Sequence, residues 1–112
     1  MPKISWEDFE KVDVRVGEVV EAEPFPEARK PSIKLIVDFG PEVGTRKTSA
    51  QLTAHYEPEA LVGKQIVAVV NFPPKRIAGF ESEVLVLGVP DGGGEVVLLS
   101  PDREVPPGGR MF

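Results

Sequence analysis

The stretch VDVRVGEVVEAE, Val12 to Glu23, decides the architecture of this chain. Val12-Asp13-Val14-Arg15-Val16 alternates strictly, which predicts a strand with its three valines turned inward and Asp13 and Arg15 outward. Gly17 then interrupts a run that otherwise continues to about Glu23. A glycine inside a strand marks a bulge or sharp bend, and a long bent first strand is what a small closed barrel requires.

Upstream, Ser5-Trp6-Glu7-Asp8 reads as a capping box with an Ile4/Phe9 staple, predicting a short N-terminal helix within residues 1–11. So small a helix leaves Trp6 and Phe9 in need of cover. Downstream, the prolines of PFPEARKP, Pro24 to Pro31, make a loop. Strand two, Ser32 to Asp38, places Ile33, Leu35 and Val37 on one face and Lys34, Ile36 and Asp38 on the other. GPEVG turns the chain into a polar strand three, Thr45 to Leu52, with Lys47, Ser49 and Gln51 together on one side. Pro58 and Gly63 bracket a short helix. Gln65–Val70, Glu83–Gly88 and Val96–Ser100 read as further strands, DGGGE as a tight connection, and residues 101–112 as a proline- and glycine-rich C-terminal extension. The outline is all-β: one domain over residues 1–112, a five-stranded OB-fold barrel with a short helix between strands three and four.

Composition narrows the chemistry. The chain of 112 residues contains no cysteine, which excludes disulfides, thiolate catalysis and cysteine-ligated zinc. No apolar run approaches the roughly 18 residues of a membrane span, and the N-terminus offers no signal-peptide core, so the expected setting is cytoplasmic without membrane insertion. The net charge of −5 is unevenly spread. Residues 1–23 carry three basic and seven acidic side chains, residues 24–80 eight and five, and residues 81–112 two and six. Only the middle of the chain is basic.

That middle contains NFPPKRIAGFESE, Asn71 to Glu83, after the buried-strand run IVAVV. The double proline fixes two φ angles and removes two backbone donors, so the stretch reads as a stiff basic loop held out from the body. Lys34, Lys47, Lys75 and Arg76 could converge with it on the OB-fold ligand face, where Ile36, Phe72, Pro74, Ile77 and Phe80 add apolar character. Basic plus apolar suits an unfolded peptide, and basic plus aromatic suits nucleic acid. His55 reads as a solvated turn histidine, and DGGG lacks the Lys and Ser/Thr of a phosphate loop. With no assembled nucleophile, base and orienting group, and no metal ligands or cofactor motif, binding is expected rather than catalysis.

VDVRVGEVVEAEPFPEARKPSIKLIVDFG, SAQLTAHYEPEALVGKQIVAVVNFPPKRIAGFESEVLVLG and LLSPDREVPPGG resemble the tRNA-binding-domain family of OB-folds, over Phe9 to Gly109. That family includes stand-alone tRNA-binding proteins, C-terminal domains of some methionyl-tRNA synthetases, and the CsaA secretion chaperones, whose forms FPEARKP, SAQLT and NFPPKRIAGFESEVLVLG resemble most. The resemblance implies a cytoplasmic homodimer that holds unfolded preproteins for export without ATP, in association with the SecA translocation motor. Its alternative implication is a structure-specific tRNA-binding protein using the same face. By position, Ser49, Gln51, Asn71, Lys75, Arg76 and Ser82 match the family's binding motif, and Trp6, Phe9, Met111 and Phe112 would be covered in the dimer.

Overall fold

A computed structural model describes all residues, Met1–Phe112. The first strand, β1 (Val14–Pro24), serves two neighbours. Its first half pairs antiparallel with β4 (Gln65–Val69), from Val14↔Val69 to Glu18↔Gln65. Its second half pairs with β2 (Ile33–Asp38), from Glu18↔Asp38 to Pro24↔Ile33. The register of β2 with β3 (Thr45–Ala50) places Lys34 opposite Ser49 and Ile36 opposite Lys47, on the face away from the core. With β7 (Leu85–Val86) on β4, the order β3-β2-β1-β4-β7 makes an OB-like, nearly closed five-stranded antiparallel barrel.

Closure between β3 and the chain before β7 combines one backbone bond with several side-chain bonds. Glu83 N–H donates to the Lys47 carbonyl at 2.9 Å, and the Lys47 N–H donates to Glu83 Oε1 at 2.9 Å. Thr48 and Ser82, both buried, share a hydroxyl hydrogen bond of 2.8 Å, and Thr48 Oγ1 also donates to the Val84 carbonyl at 2.7 Å. The seam thus satisfies its polar groups where a regular ladder is missing.

The expected helices form. Ser5 and Asp8 cap α1 (Trp6–Glu10) reciprocally, and Pro58 begins α3 (Pro58–Leu61), which Gly63 follows at φ +90°. GPEVG is a one-turn helix, α2 (Gly40–Val43), rather than a plain turn. The Asn71–Glu83 stretch is more ordered than a loop. After the prolines, β5 (Lys75–Ile77) and β6 (Phe80–Ser82) pair as a hairpin with a two-residue turn, Ala78-Gly79. The expected fifth strand divides at Leu87, its second part being β8 (Gly88–Pro90), which pairs with β9 (Val96–Leu98).

Two expectations for the opening stretch are corrected. Gly17 is not a bulge: it keeps its place in the β1–β4 register, and the irregularity falls between Val19 and Glu21. A Cβ on Gly17 would lie 2.5 Å from Val37 Cγ1 and 2.7 Å from the Phe39 ring, so the glycine serves close approach. Nor are all three valines buried: Val14 is, at 3 % exposure, whereas Val16 is half-buried and Val12 exposed. Gly17 packs on the core, and its partner Ile66 is a core residue, so Val14 and Val16 face the opposite way and Val12 lies exposed before the strand. Alternation identifies residues sharing a face without identifying which face is the core.

The outer face is therefore apolar too. Val14, Val69 and Leu85 form one cross-strand row on it, of which Val14 and Val69 are buried and Leu85 is exposed. Val16, Val67, Leu87 and Leu99 form the next, through Val16↔Val67 and the bonds Leu87 N–H to Val67 O and Leu99 N–H to Leu87 O. At its near end Trp6, Phe9, Val12, Met111 and Phe112 line a groove of about 410 Å³.

The tail covers the edge of β1 that β2 leaves bare. Gly108 N–H donates to Val16 O, Val16 N–H to Gly109 O and Met111 N–H to Val14 O, at 2.8–3.0 Å. Pairing removes an open strand edge, a standing aggregation hazard. Arg15, expected outward, is instead a half-buried clamp. It meets both Asp13 carboxylate oxygens (2.6 and 3.2 Å), Glu42 Oε1 (2.9 Å) and the Gly108 carbonyl (3.1 Å).

The hairpin turn carries a local strain. Ala78 has φ +48° and Gly79 φ +80°, as a type I′ turn demands, yet a left-handed conformation is unfavourable for a residue with Cβ. Ala78→Asn is expected to stabilise the protein by roughly 0.5–1 kcal/mol, since Asn tolerates this region. A denaturation midpoint that falls in this variant would contradict the assignment.

Candidate binding face

The outer surface of β2 and β3 is overhung from two sides. One side is the loop between β1 and β2, whose Phe25 is 3 % exposed; the other is the β5–β6 hairpin. Phe25 and Phe80 meet edge to face with ring centroids 5.4 Å apart, joining the two loops. The Lys34 ammonium lies 4.6 Å from the Phe25 centroid and 5.0 Å from that of Phe80, and the Lys47 ammonium lies 5.5 Å from Phe80. Two cations thus share one aromatic ring, an attraction of quadrupole to charge that holds flexible side chains in place.

Around this floor the expected residues separate into three groups. Lys34, Ile36 and Ser49 are half-buried and Lys47 exposed on the β2–β3 face, with Gln51 exposed just beyond β3. Pro74, Lys75 and Arg76 are exposed on the hairpin, beside half-buried Ile77 and Phe80, while Phe72 is 53 % exposed. Asn71 and Ser82 are engaged elsewhere. Asn71 Oδ1 accepts from the Asp13 N–H and its Nδ2 donates to the Lys11 carbonyl, tying α1 to the end of β4; Ser82 is buried in the seam. Of the four basic residues, Arg76 lies 3.6 Å from Glu81, while Lys34, Lys47 and Lys75 have no carboxylate partner. In a chain with more acids than bases, three unpaired lysines on one face form a local positive field.

Phe25 was missed in the sequence, where an aromatic set among loop prolines was the available signal for an anchor. Trp6, Phe9, Met111 and Phe112 do come together, in the groove described above, and the Trp6 and Phe9 rings lie 5.7 Å apart. His55 is not simply solvated. Its Nε2 lies 2.6 Å from Asp91 Oδ2, while Asp91 Oδ1 accepts from the Gly93 and Glu95 N–H groups. The His55 contact first, then those two backbone donors, hold the Asp91 carboxyl below its ordinary range. This pins the DGGGE turn to the chain ahead of α3. No group of His, Asp or Glu side chains is gathered as a metal site would require.

A small OB-like barrel with an open basic and apolar face, and loops that overhang it, has the architecture on which OB-folds bind oligonucleotides and oligosaccharides. The chain belongs to the tRNA-binding-domain family: the family described as "Putative tRNA binding domain" matches residues 14–110. Among solved structures, the chaperone CsaA of Bacillus anthracis is 56 % identical, with a TM-score of 0.91 over 99 % of this chain and 100 % of that one. The CsaA chaperone of Picrophilus torridus is 49 % identical, with a TM-score of 0.92 over 98 % of this chain and 100 % of that one. The methionine–tRNA ligase of Methanosarcina acetivorans is 40 % identical over 111 residues, 99 % of this chain but 15 % of the ligase. The chain thus spans a minor segment of the ligases it matches, and no helix is long and apolar enough to cross a membrane.

Proposed function

We propose that this protein is a cytoplasmic, export-related chaperone that holds unfolded preprotein segments on the β2–β3 face and β5–β6 hairpin, without ATP. Full-length likeness to a CsaA chaperone at 56 % identity carries this reading. The exposed Phe72, Pro74 and Lys75 beside half-buried Ile36, Ile77 and Phe80 support it, because a client chain offers apolar side chains and unpaired backbone together. The SecA translocation motor is the partner this reading implies.

Such binding is expected to tolerate moderate salt, since burial of apolar surface is little screened. A Phe72→Ala, Lys75→Glu, Ile77→Ala triple variant is expected to lose roughly tenfold or more in affinity for an unfolded precursor. Unchanged affinity in a correctly folded triple variant would show that the client binds elsewhere.

A second reading is a structure-specific tRNA-binding protein that uses Lys34, Lys47, Lys75 and Arg76 with Ser49 and Gln51. The family match and the three lysines without carboxylate partners favour it. Contact with phosphates predicts a steep fall of log K with log salt, and a flat response would eliminate it.

For either ligand we propose a homodimer built on Trp6, Phe9, Met111 and Phe112 and on the apolar outer rows behind them. Trp6 in the groove (71 % exposed) and Leu85 on the adjoining row (50 %) form the kind of surface that self-association covers. Trp6→Glu with Leu85→Glu is expected to sediment as a monomer, and a monomeric parent at tens of micromolar would refute the dimer.

A further inference from the structure

Two of the phenylalanines of the binding face, Phe25 and Phe80, are not free platforms as the exposed Phe72 is. Phe25 is almost fully enclosed, and both rings carry the Lys34 ammonium while Phe80 also carries that of Lys47. Bases stack on open ring faces, so these faces, taken by cations, are poorly placed to read bases. What they do instead is restrict where two ammonium groups sit. A lysine side chain ordinarily loses rotamer freedom on binding an anion, and a lysine already held on a ring has less to lose.

We infer that Phe25 is a positioning residue: with Phe80 it seats Lys34 beside Lys47, so that the two ammonium groups act together on one backbone phosphate of a bound RNA. This rests on the tRNA-binding reading above. Three features point to it. Lys34 and Lys47 have no carboxylate within salt-bridge distance to compete for them. They stand two positions apart in the β2–β3 register, diagonal neighbours on the same face, with Lys34 opposite Ser49 and Lys47 opposite Ile36. Phe25 reaches this point from a different loop than Phe80, so its burial ties the β1–β2 loop to the hairpin over the same spot.

The experiment compares wild type, Phe25→Leu, Phe80→Leu, Phe80→Tyr, Lys34→Met and the Phe25→Leu/Lys34→Met double variant, each checked for cooperative unfolding. Nuclear magnetic resonance of the free protein reads the seat directly. Ring currents should shift the Lys34 ε protons upfield in wild type and Phe80→Tyr, less so in either Leu variant. Titration with tRNA across a salt series reads its purpose. Phe25→Leu and Phe80→Leu should each weaken binding roughly fivefold at low salt and flatten the salt slope by about one phosphate contact. Phe80→Tyr should bind as wild type, and the double variant should bind no worse than Lys34→Met alone.

Unshifted Lys34 protons, an unchanged slope, or additive losses in the double variant would each overturn the positioning role. So would an equal loss of affinity for a neutral unfolded peptide, which would mean the rings shape the whole face. Failure of wild type to bind tRNA at low salt is a different result, overturning the RNA reading on which the inference stands.

Discussion

Gly17→Ala is expected to destabilise the protein by roughly 3 kcal/mol, lowering its melting temperature by some 10–20 °C, although it adds a single methyl group. The new Cβ would stand 2.5 Å from Val37 Cγ1 and 2.7 and 2.8 Å from two Phe39 ring atoms. Both neighbours are fully buried, so neither can swing into solvent. Relief would require moving β1 away from β2 at the point where β1 passes from one partner strand to the other. Backbone conformation is not the obstacle, since the φ of Gly17 is not positive. The space is. Shrinking the obstructing ring tests this: Gly17→Ala combined with Phe39→Leu should be less destabilised than the two single changes together. Strict additivity would mean the glycine is needed for some other reason.

The same glycine shows how far a sequence carries. That β1 is long and serves a closed barrel was legible, as were β2, β3, β4, the caps of α1 and α3, and the face shared by Lys34, Ile36, Lys47 and Ser49. These follow from local periodicity and from turn and cap chemistry, which act within a few residues. The direction of the β1 valines was not legible, because both faces of the β1–β4 sheet are apolar and alternation cannot rank them. Nor were the pairings that cross the chain. His55 with Asp91, Asn71 with Asp13 and Lys11, and Phe25 with Phe80 each join residues more than thirty positions apart, and no local pattern announces them. For the site, residue type located the face, but the hydrogen bonds of Asn71 and the burial of Ser82 had to be seen.

Arg15→Met is expected to cost roughly 2–3 kcal/mol and to release the C-terminal tail while leaving the barrel folded. The guanidinium joins three segments: Asp13 before β1, Glu42 in α2 and the Gly108 carbonyl in the tail. Methionine keeps much of the apolar stem but leaves all three without their donor. Besides the clamp, the tail is held by its three backbone bonds to β1, by Gln65, which exchanges two hydrogen bonds with Val105, and by Arg110, which donates to the Glu10 carbonyl at 2.7 Å and lies 3.6 Å from Asp13. Gly108, at φ +101°, and Gly40, at φ +81°, bring two backbones into contact where a side chain on either would strike a carbonyl oxygen at 2.4–2.5 Å. Hydrogen exchange is the direct measure: the Val16, Gly108 and Met111 amides, bonded between tail and strand, should lose protection while Ile66 and Ala68 keep theirs. Acid should reproduce the variant. Its hydrogen bond with Arg15, and then the charges of Arg15 and Arg110, hold the Asp13 carboxyl below the usual carboxylate range against the opposing cost of burial. A free aspartate titrates near ~3.9, so this contribution is complete above about pH 4 and is lost as pH falls through the lower folded value. Tail protection in the parent should therefore fall below about pH 4, whereas in Arg15→Met it should be low at neutral pH and change little on acidification. Because the tail ends in Met111 and Phe112 beside Trp6 and Phe9, its release should weaken the proposed dimer as well. A tail that stays protected in Arg15→Met at neutral pH would assign its docking to the backbone bonds with β1 alone, and the clamp would be incidental.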